Sequence, residues 1–301
     1  MYLIRDVPRT VFLTSVILVA LSIILMVGFI FLTAAPVISK EGIGFVFGTV
    51  WDYETHTYGM WIFLVNTILL TLLTIVIACP IGLLTAIYLS EWAPPSVERV
   101  MRPAIELLVG IPSVVFGIFG YFILRSFFVD DLNPFLITFF GWIPFIGHNI
   151  GTGESMLLAA TILTIMVLPT IVALSQEAIK AVPAEFREGS FALGATKWET
   201  IRFVVLPAAL SGIITSVVIA IMRAMGETMA VVMVIGNSPQ IPGSILDMGY
   251  VMTSKILNDI GYYIVDQEPR SALFGLAAAI FLIEIVMVGI IRYVSNRMRE
   301  G

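Results

Sequence analysis

The chain has 301 residues, of which 59% are hydrophobic and only 12% are charged, and its mean hydropathy is +1.02. A soluble domain of this length would carry about twice that share of charged residues, so the composition excludes an ordinary soluble protein. The single cysteine, Cys79, lies in an apolar run, which excludes a disulfide framework or a thiolate metal site. The net charge of −5 is spread over loops. We expect contact with membrane lipid, and neither a cofactor, a metal ion nor a nucleic-acid partner.

Long uncharged runs predict membrane-spanning helices, because a helix satisfies its own backbone hydrogen bonds where there is no water. We predict an all-α polytopic membrane protein with six transmembrane helices, at Val11–Ala34, Trp61–Leu89, Leu107–Leu124, Ser155–Leu174, Phe203–Val234 and Ala272–Ile291. The first run follows two arginines, as a signal peptide does. Its 24 uncharged residues exceed the roughly 7–15 of a signal-peptide core, so we predict a helix that is retained.

The distribution of positive charge predicts the orientation of the chain. When the N-terminus is placed in the cytoplasm, most lysines and arginines fall on the cytoplasmic side, as is usual for membrane proteins. Both termini, and the loop between spans four and five, are then cytoplasmic. We divide the chain into residues 1–60, an N-terminal transmembrane helix with an outer loop, and residues 61–301, a transmembrane domain that carries the cytoplasmic loop at about 178–207.

This cytoplasmic loop reads AVPAEFREGSFALGATKWETIRFVVLP over residues 181–207. Its apolar residues recur at helical spacing along one stripe, formed by Val182, Phe186, Gly189 and Leu193. Gly194 can end that helix in the left-handed conformation. Thr196 and Glu199 match a capping box, so a second helix begins there and runs through Pro207 into span five. The stretch predicts a short amphipathic helix joined to a membrane span, although periodicity alone also fits a helix that only lies on the membrane surface.

The same loop resembles the EAA signature of ABC importer membrane subunits. The positions concerned are Glu188, Gly189, Ser190, Ala192, Gly194, Ala195, Leu206 and Pro207. Glycine and serine stand where the signature has two alanines, and the hydrophobic residue of its ending is better matched by Val204 or Val205 than by Ile201. The resemblance implies a type I ABC importer permease fold with a coupling helix that docks on an ATP-binding subunit, expected in two copies. The chain has no phosphate-binding loop motif, so we expect a transport subunit and ATP hydrolysis on that separate subunit.

Span five carries charge in a region where charge is costly. Arg223 and Glu227 are four residues apart, which predicts that they share one helical face. An arginine offers a planar set of donors to a tetrahedral oxyanion in transit, and the glutamate would hold the arginine when no anion is present. The alternative is an ion pair that only fixes helix packing. In span three, Pro112 and Ser113 could begin a half-helix that faces an anion, but a proline kink without a ligand is the favoured interpretation.

The segments around these charges resemble the phosphate-specific ABC importer permeases. The segments are Gly110 to Gly117 in span three, and Gly226 to Ala230 running on to Ile235, Gly236 and Asn237. The second segment looks like the PstC-type subunit rather than its PstA-type partner. The resemblance implies phosphate import along a path with Arg223, Glu227, Thr228 and Ser113. It also implies a homologous PstA-type permease subunit and an external phosphate-binding protein as partners.

Other functions stay open at this point. An importer of sulfate or molybdate would use the same loop. An ion-coupled secondary transporter would show inverted repeats, and no clear repeat is visible. An intramembrane enzyme would need a motif such as H-E-x-x-H, which the sequence lacks. The sequence assigns no role to Glu106 and Glu284. It predicts loop histidines at His56 and His148, and an outer interfacial or re-entrant segment from Pro134 to Ile150.

Overall fold

A computed structural model describes the chain over residues 3–147 and 153–300, and within them it describes all side chains except those of residues 3–9, 291 and 294–300. His148 and the end of the predicted outer segment lie outside the described residues. Over those residues the chain forms fourteen α-helices and one antiparallel pair of short strands. Six helical segments are long and apolar enough to cross a membrane, so the predicted all-α polytopic architecture is confirmed.

The helices are α1 (Leu3–Glu41), α2 (Ile43–Phe47), α3 (Trp61–Ile87), α4 (Pro95–Val109), α5 (Ser113–Phe119), α6 (Arg125–Phe127), α7 (Asn133–Phe140), α8 (Met156–Lys180), α9 (Ala184–Ala192), α10 (Lys197–Thr200), α11 (Leu206–Gly226), α12 (Met229–Val234), α13 (Met252–Tyr263) and α14 (Gln267–Glu300). The strands are β1 (Trp51–Asp52) and β2 (Thr57–Tyr58). Short π-helical segments extend or join some of these helices, at Tyr88–Trp92, Gly120–Leu124, Phe128–Leu132 and Ile201–Val205. The six spans are therefore Thr10–Glu41, Trp61–Trp92, Ser113–Phe140, Met156–Lys180, Lys197–Gly226 and Gln267–Ile290.

The chain divides into two compact units, and the first comprises Met1–Trp61 and Ile256–Phe281. Within it, α1 and α2 pack closely on the start of α14, because Gly275 leaves room for the ring of Phe45 in α2 and the side chain of Val37 in α1. The backbone N–H of Val37 donates a hydrogen bond to Ser271 Oγ over 2.9 Å. Glu268 accepts from Lys40 at 3.0 Å and lies 3.2 Å from His56 Nδ1. The predicted loop position of His56 is confirmed, and the Glu268 carboxylate lies beside its ring.

The second unit comprises Ile62–Lys255 and Leu282–Gly301, and its core is α8. The buried side chains of α8 follow one another around the whole helix, and they include Leu158, Ile162, Val167 and Ile171. The helix α11 packs along α8 through small residues: Gly212 lies against Ala178, and the hydroxyl oxygens of Ser175 and Ser216 are 2.7 Å apart. Small residues let two helices approach closely in a membrane, where apolar burial gives no driving force.

The third predicted span, Leu107–Leu124, is wrong at both ends. Leu107 belongs to α4, which is too charged to cross the membrane and ends at Val109. The backbone turns at Gly110 and Ile111, and the spanning helix begins at Ser113 after Pro112. Pro112 therefore starts a helix, and the favoured prediction of a kink inside one span is wrong. The physical reason is that proline supplies the fixed φ of a helix start but no N–H for a helix interior.

The same helix continues further than the sequence suggested. From α5 it runs through α6, with a π-helical segment on either side of α6, into α7, which ends at Phe140. The part of the predicted outer segment from Pro134 to Phe140 is therefore the end of span three, and turns follow up to Gly147. Pro134 closely follows the π-helical segment Phe128–Leu132, where the regular i→i−4 hydrogen-bond pattern is already changed, and it does not end the helix.

Candidate translocation site and coupling surface

The fifth span breaks beside its charged residues. The helix α11 ends at Gly226, and Glu227 adopts an extended conformation with φ −68° and ψ 131°. A short helix, α12, begins after Thr228. The predicted continuous span to Val234 is therefore wrong, and so is the prediction that Arg223 and Glu227 share one helical face. No ion pair joins these two residues among the side chains that the structure describes.

Glu227 has a different task from the predicted one. Its Oε1 accepts from the backbone N–H groups of Thr228, at 3.2 Å, and Ala230, at 3.3 Å. Its backbone carbonyl accepts from Thr253 Oγ1 at 2.9 Å. A carboxylate at the start of a helix satisfies N–H groups that have no partner in the helix itself and favours the positive end of the helix dipole. Glu227 therefore holds the break in place.

Arg223 lies one turn before this break, near the end of α11. Its side chain is half-buried, and its Nε is buried with no hydrogen-bond partner among the described residues. A buried donor without a partner costs about 1–3 kcal/mol, and more when the group is charged. An anion with several acceptor oxygens would remove that cost, so Arg223 has the chemistry that its predicted role requires.

Glu284 of α14 faces the same break, which the sequence did not reveal. A side-chain Cβ at Gly226 would lie 3.7 Å from Glu284 Oε1. Glu284 is half-buried in its span. A second carboxylate thus lies beside the end of α11, one turn away from Arg223.

The start of span three reaches the level of the break in span five. Gly117 of α5 packs against Ala230 of α12, and Gly120, which follows α5, packs against Val234. The two helices therefore run in the same direction, and their first residues lie at the same end. Ser113 is half-buried at the first position of α5, while Thr228 Oγ1 donates to the carbonyl of Gly226 at 3.2 Å. The four residues predicted for the path thus come from two helix starts and one helix end.

The loop after span four folds locally as predicted. Gly194 has a φ of +84°, the left-handed conformation that ends α9. Thr196 and Glu199 form the predicted capping box: the N–H of Thr196 donates to Glu199 Oε2 at 2.8 Å, and the N–H of Glu199 donates to Thr196 Oγ1 at 3.3 Å. The hydroxyls of Ser190 and Thr200, 2.9 Å apart, join α9 to α10. The second helix runs through Pro207 into span five as predicted, with one π-helical segment before the proline.

Most of the predicted apolar stripe along α9 is exposed in the part of the chain that the structure describes. Val182 is buried, but Phe186 is 54% exposed and Leu193 is 90% exposed. Glu188 and Gly189 are exposed as well, and a Cβ at Gly189 would meet nothing within 4 Å. These side chains and their neighbours Phe191, Ala192, Ala195 and Trp198 form a surface that we call the coupling surface. It combines apolar and acidic side chains that are mostly exposed in the described part of the chain, and Trp198 also stacks on Trp92 with 6.0 Å between the ring centroids.

A half-buried ion pair beneath the coupling surface, which we call the Arg187 clamp, could not be predicted from the sequence. Arg187 of α9 pairs with Glu91, at the end of span two, with 2.9 Å between Nη2 and Oε1. Its guanidinium also donates to the carbonyls of Val182, at 2.7 Å, and Ile179, at 3.0 Å. The two residues are 96 positions apart, so no local pattern could have paired them. The only sequence signal was that opposite charges lie in two loops assigned to the same side of the membrane.

A second clamp fixes α4 to the end of α8. The ammonium of Lys180 donates a hydrogen bond to Glu98, and Gln176 Nε2 donates to the same carboxylate at 3.2 Å. The Lys180 hydrogen bond lowers the pKa of the Glu98 carboxyl below its ordinary value. Glu106, whose role was open, forms an exposed pair with Arg102 at 3.1 Å.

Comparison with known proteins agrees with this architecture. Residues 78–300 match the family described as binding-protein-dependent transport system inner membrane component. The chain is similar to a probable ABC transporter permease protein, YqgH, of Bacillus subtilis, with 37% identity over 80% of this chain and 73% of that protein. It is also similar to the phosphate transport system permease protein PstC of Xylella fastidiosa, with 36% identity over 87% of this chain and 82% of that protein.

A solved structure gives the same fold. The crystal structure of a bacterial ABC transporter involved in the import of the acidic polysaccharide alginate contains a chain that superimposes with a TM-score of 0.59. The identity is 18%, and the match covers 99% of both chains. The predicted type I ABC importer permease fold is thereby confirmed. The chain belongs to the binding-protein-dependent transport system inner membrane components, and it is a multi-pass membrane subunit of an ABC transporter.

Proposed function

We propose that the chain is the PstC-type permease subunit of an ATP-driven importer of inorganic phosphate. The observation that carries this proposal is its similarity over most of its length to permeases named for phosphate transport. Arg223, with a buried donor that has no partner in the described part of the chain, supports a substrate that is an oxyanion. Sulfate and molybdate are oxyanions as well, so the arginine supports the class and the relatives support phosphate.

The path runs past the break between α11 and α12. Arg223 offers donors to the phosphate oxygens, and the hydroxyls of Ser113 and Thr228 lie beside the path at the two helix starts. The carboxylate of Glu227 at the same break opposes tight binding of an anion. A site that attracts an anion only moderately lets it leave again, which transport requires.

The coupling surface receives the force that drives transport. ATP is hydrolysed on two copies of a separate subunit, which docks on α9 around Glu188. Movement of α9 passes through the Ser190–Thr200 contact into α10 and along the continuous helix to Arg223. Through the Arg187 clamp the same movement also reaches the end of span two. The signature residues Gly189, Ser190, Ala192, Gly194, Ala195, Leu206 and Pro207 shape this connection.

The remaining partners and the orientation complete the proposal. Both termini are cytoplasmic, a homologous PstA-type subunit forms the other half of the path, and an external phosphate-binding protein delivers the substrate. Residues 61–301 form the transmembrane domain of the importer family, and residues 1–60 add a helix and an outer loop to it. The positive charge on the cytoplasmic loops supports the orientation.

Purification followed by transport measurements tests the proposal. The complex retained by a tagged chain is identified by mass spectrometry, and then reconstituted for uptake of labelled phosphate with an excess of unlabelled sulfate or molybdate. We expect an ATP-binding subunit and a second permease in the complex, and ATP-driven phosphate uptake that neither competitor reduces. Uptake of sulfate or molybdate with phosphate ignored, or uptake driven by an ion gradient without ATP, would overturn it.

A further inference from the structure

A cavity of about 400 Å³ lies at the end of α8 that is remote from the coupling surface. Its wall includes Arg125, Glu154, Asn237, Tyr121 and Gly236. Glu154 lies just before α8, whose 25 residues end at Lys180, beside α9. At 1.5 Å per residue the helix is about 37 Å long, which is enough to cross the hydrocarbon core of a bilayer. The cavity, which we call the Arg125 cavity, therefore faces the side of the membrane opposite the coupling surface.

The charged side chains of this cavity form a pair. Arg125 Nε and Glu154 Oε1 are 3.1 Å apart, and the Glu154 side chain is only 14% exposed. The guanidinium of Arg125 also lies over the ring of Tyr121, 5.0 Å from its centroid. Gly153 makes this arrangement possible, because a Cβ there would lie 2.8 Å from Arg125 Cγ. A guanidinium held in place next to a carboxylate presents donors and acceptors side by side.

Asn237 adds a further acceptor to the wall. Its Nδ2 donates to the carbonyl of Val232 at 2.7 Å, and its Oδ1 is buried without a hydrogen-bond partner among the described residues. This hydrogen bond fixes the orientation of the amide, and the backbone there is left-handed, with φ +50° at Asn237 and +88° at Gly236. A buried carbonyl oxygen without a donor is unfavourable, so a ligand that carries an O–H group would be favoured there.

We propose that the Arg125 cavity is a first binding site for a protonated oxyanion, inorganic phosphate, before it reaches Arg223; the identity of the ligand rests on the proposed function. Inorganic phosphate at neutral pH keeps at least one proton, so it accepts hydrogen bonds from Arg125 and donates one to Glu154 or Asn237. Sulfate has no proton to donate and is repelled by the carboxylate. The pair of opposite charges has no net charge, which gives moderate affinity and lets phosphate pass on. The cavity thereby selects phosphate over sulfate.

Thiol labelling in the assembled transporter tests this site without any transport step. In a Cys79→Ala background, Met248→Cys places a thiol in the cavity wall. The labelling rate with an uncharged maleimide is measured in nanodiscs with inorganic phosphate, with sulfate and with neither. Phosphate at twice its dissociation constant should slow labelling about threefold, and sulfate at the same concentration should leave the rate unchanged. Equal protection by both anions, or protection by neither, would overturn the proposal.

Two variants and a control assign the selectivity to named side chains. Glu154→Gln removes the repelling charge, so phosphate should protect less and sulfate should begin to protect. Asn237→Gly removes the amide and keeps a residue suited to the positive φ, and it should weaken phosphate protection. Glu268→Gln removes an ion pair that lies in the first unit. This control should be protected by phosphate and not by sulfate, as the parent is. If the Glu154 variant keeps the full preference for phosphate, the carboxylate does not select the ligand and the proposal fails.

Two further experiments distinguish a lipid headgroup from free phosphate, and failure of this proposal from failure of the proposed function. If nanodiscs with phosphatidic acid slow labelling and added inorganic phosphate does not, the cavity binds a lipid headgroup and the proposal is wrong. Phosphate uptake is measured on the same preparation. Uptake without protection from labelling would reject phosphate binding in the Arg125 cavity and support the proposed function. Protection without uptake would support phosphate binding in the cavity and reject the proposed function.

Discussion

Removing the guanidinium of Arg187 should destabilise the chain more than any exposed ion pair can. In the variant Arg187→Met, Glu91 loses its partner in a position where its side chain is only 10% exposed, and the carbonyls of Ile179 and Val182 lose a donor. Breaking a buried pair by removing one member costs about 3–5 kcal/mol. The Arg187 side chain is still 22% exposed, so we expect a loss of stability at the low end of this range, about 3 kcal/mol.

Thermal unfolding of the purified complex measures this effect. A loss of about 3 kcal/mol corresponds to a fall in Tm of roughly 6 °C for a chain of this size. In a double-mutant cycle with Glu91→Gln, the double variant should lose less than the sum of the single variants, with a coupling of about 1–3 kcal/mol. The matched control is Arg102→Met with Glu106→Gln, an exposed pair four residues apart, which should couple by only about 0.3–0.5 kcal/mol. Strict additivity at Arg187 and Glu91, or equal coupling in the control, would refute the clamp.

Three other changes test separate parts of the structure. Gly117→Leu should lower the thermal stability by about 1–3 kcal/mol through overpacking against α12. The control Gly289→Ala, with open space around it inside α14, should not lower the stability, because alanine suits a helix better than glycine. Equal losses would contradict the packing of α5 on α12. Glu188→Lys should release the ATP-binding subunit during purification while the Tm of the membrane subunits stays the same, and full retention of that subunit would argue against docking there. The pKa of Glu98 is lowered by Lys180 in the folded state, so this contribution to stability is present above its ordinary value of 4.5 and is lost as the pH falls through the lower, folded pKa. Below about pH 4.5 the Tm of the parent should therefore fall more steeply with pH than the Tm of Lys180→Met. Parallel curves of Tm against pH would show that the hydrogen bond contributes nothing.

The features that sequence could predict are local ones. Gly194 and the pair Thr196 and Glu199 set the geometry of a turn within six residues, and the structure contains that turn as predicted. The number of spans follows from apolar runs, because the cost of charge in hydrocarbon acts on each residue separately. The similarity of the coupling loop to ABC importers likewise depends on a short signature.

The errors arose where distant contacts decide the structure. Hydrophobicity continues from Phe203 to Val234, so the sequence favoured one helix, yet the backbone breaks after Gly226 and is held by Glu227 and by the hydroxyl of Thr253. A bond between residues 26 positions apart leaves no periodic pattern. The apolar run across Gly110 likewise hid the boundary between α4 and span three.

The transport rate of the Arg223→Gln complex tests most directly the claim that an oxyanion passes the break in span five. A hydrogen bond to a charged group contributes about 1.5–3 kcal/mol, so we expect ATP-driven phosphate uptake to fall about ten- to hundredfold while the complex assembles normally. Arg99→Gln, at an exposed arginine of α4, should keep the rate of the parent. Phosphate uptake by the Arg223→Gln complex at the rate of the parent would contradict the claim.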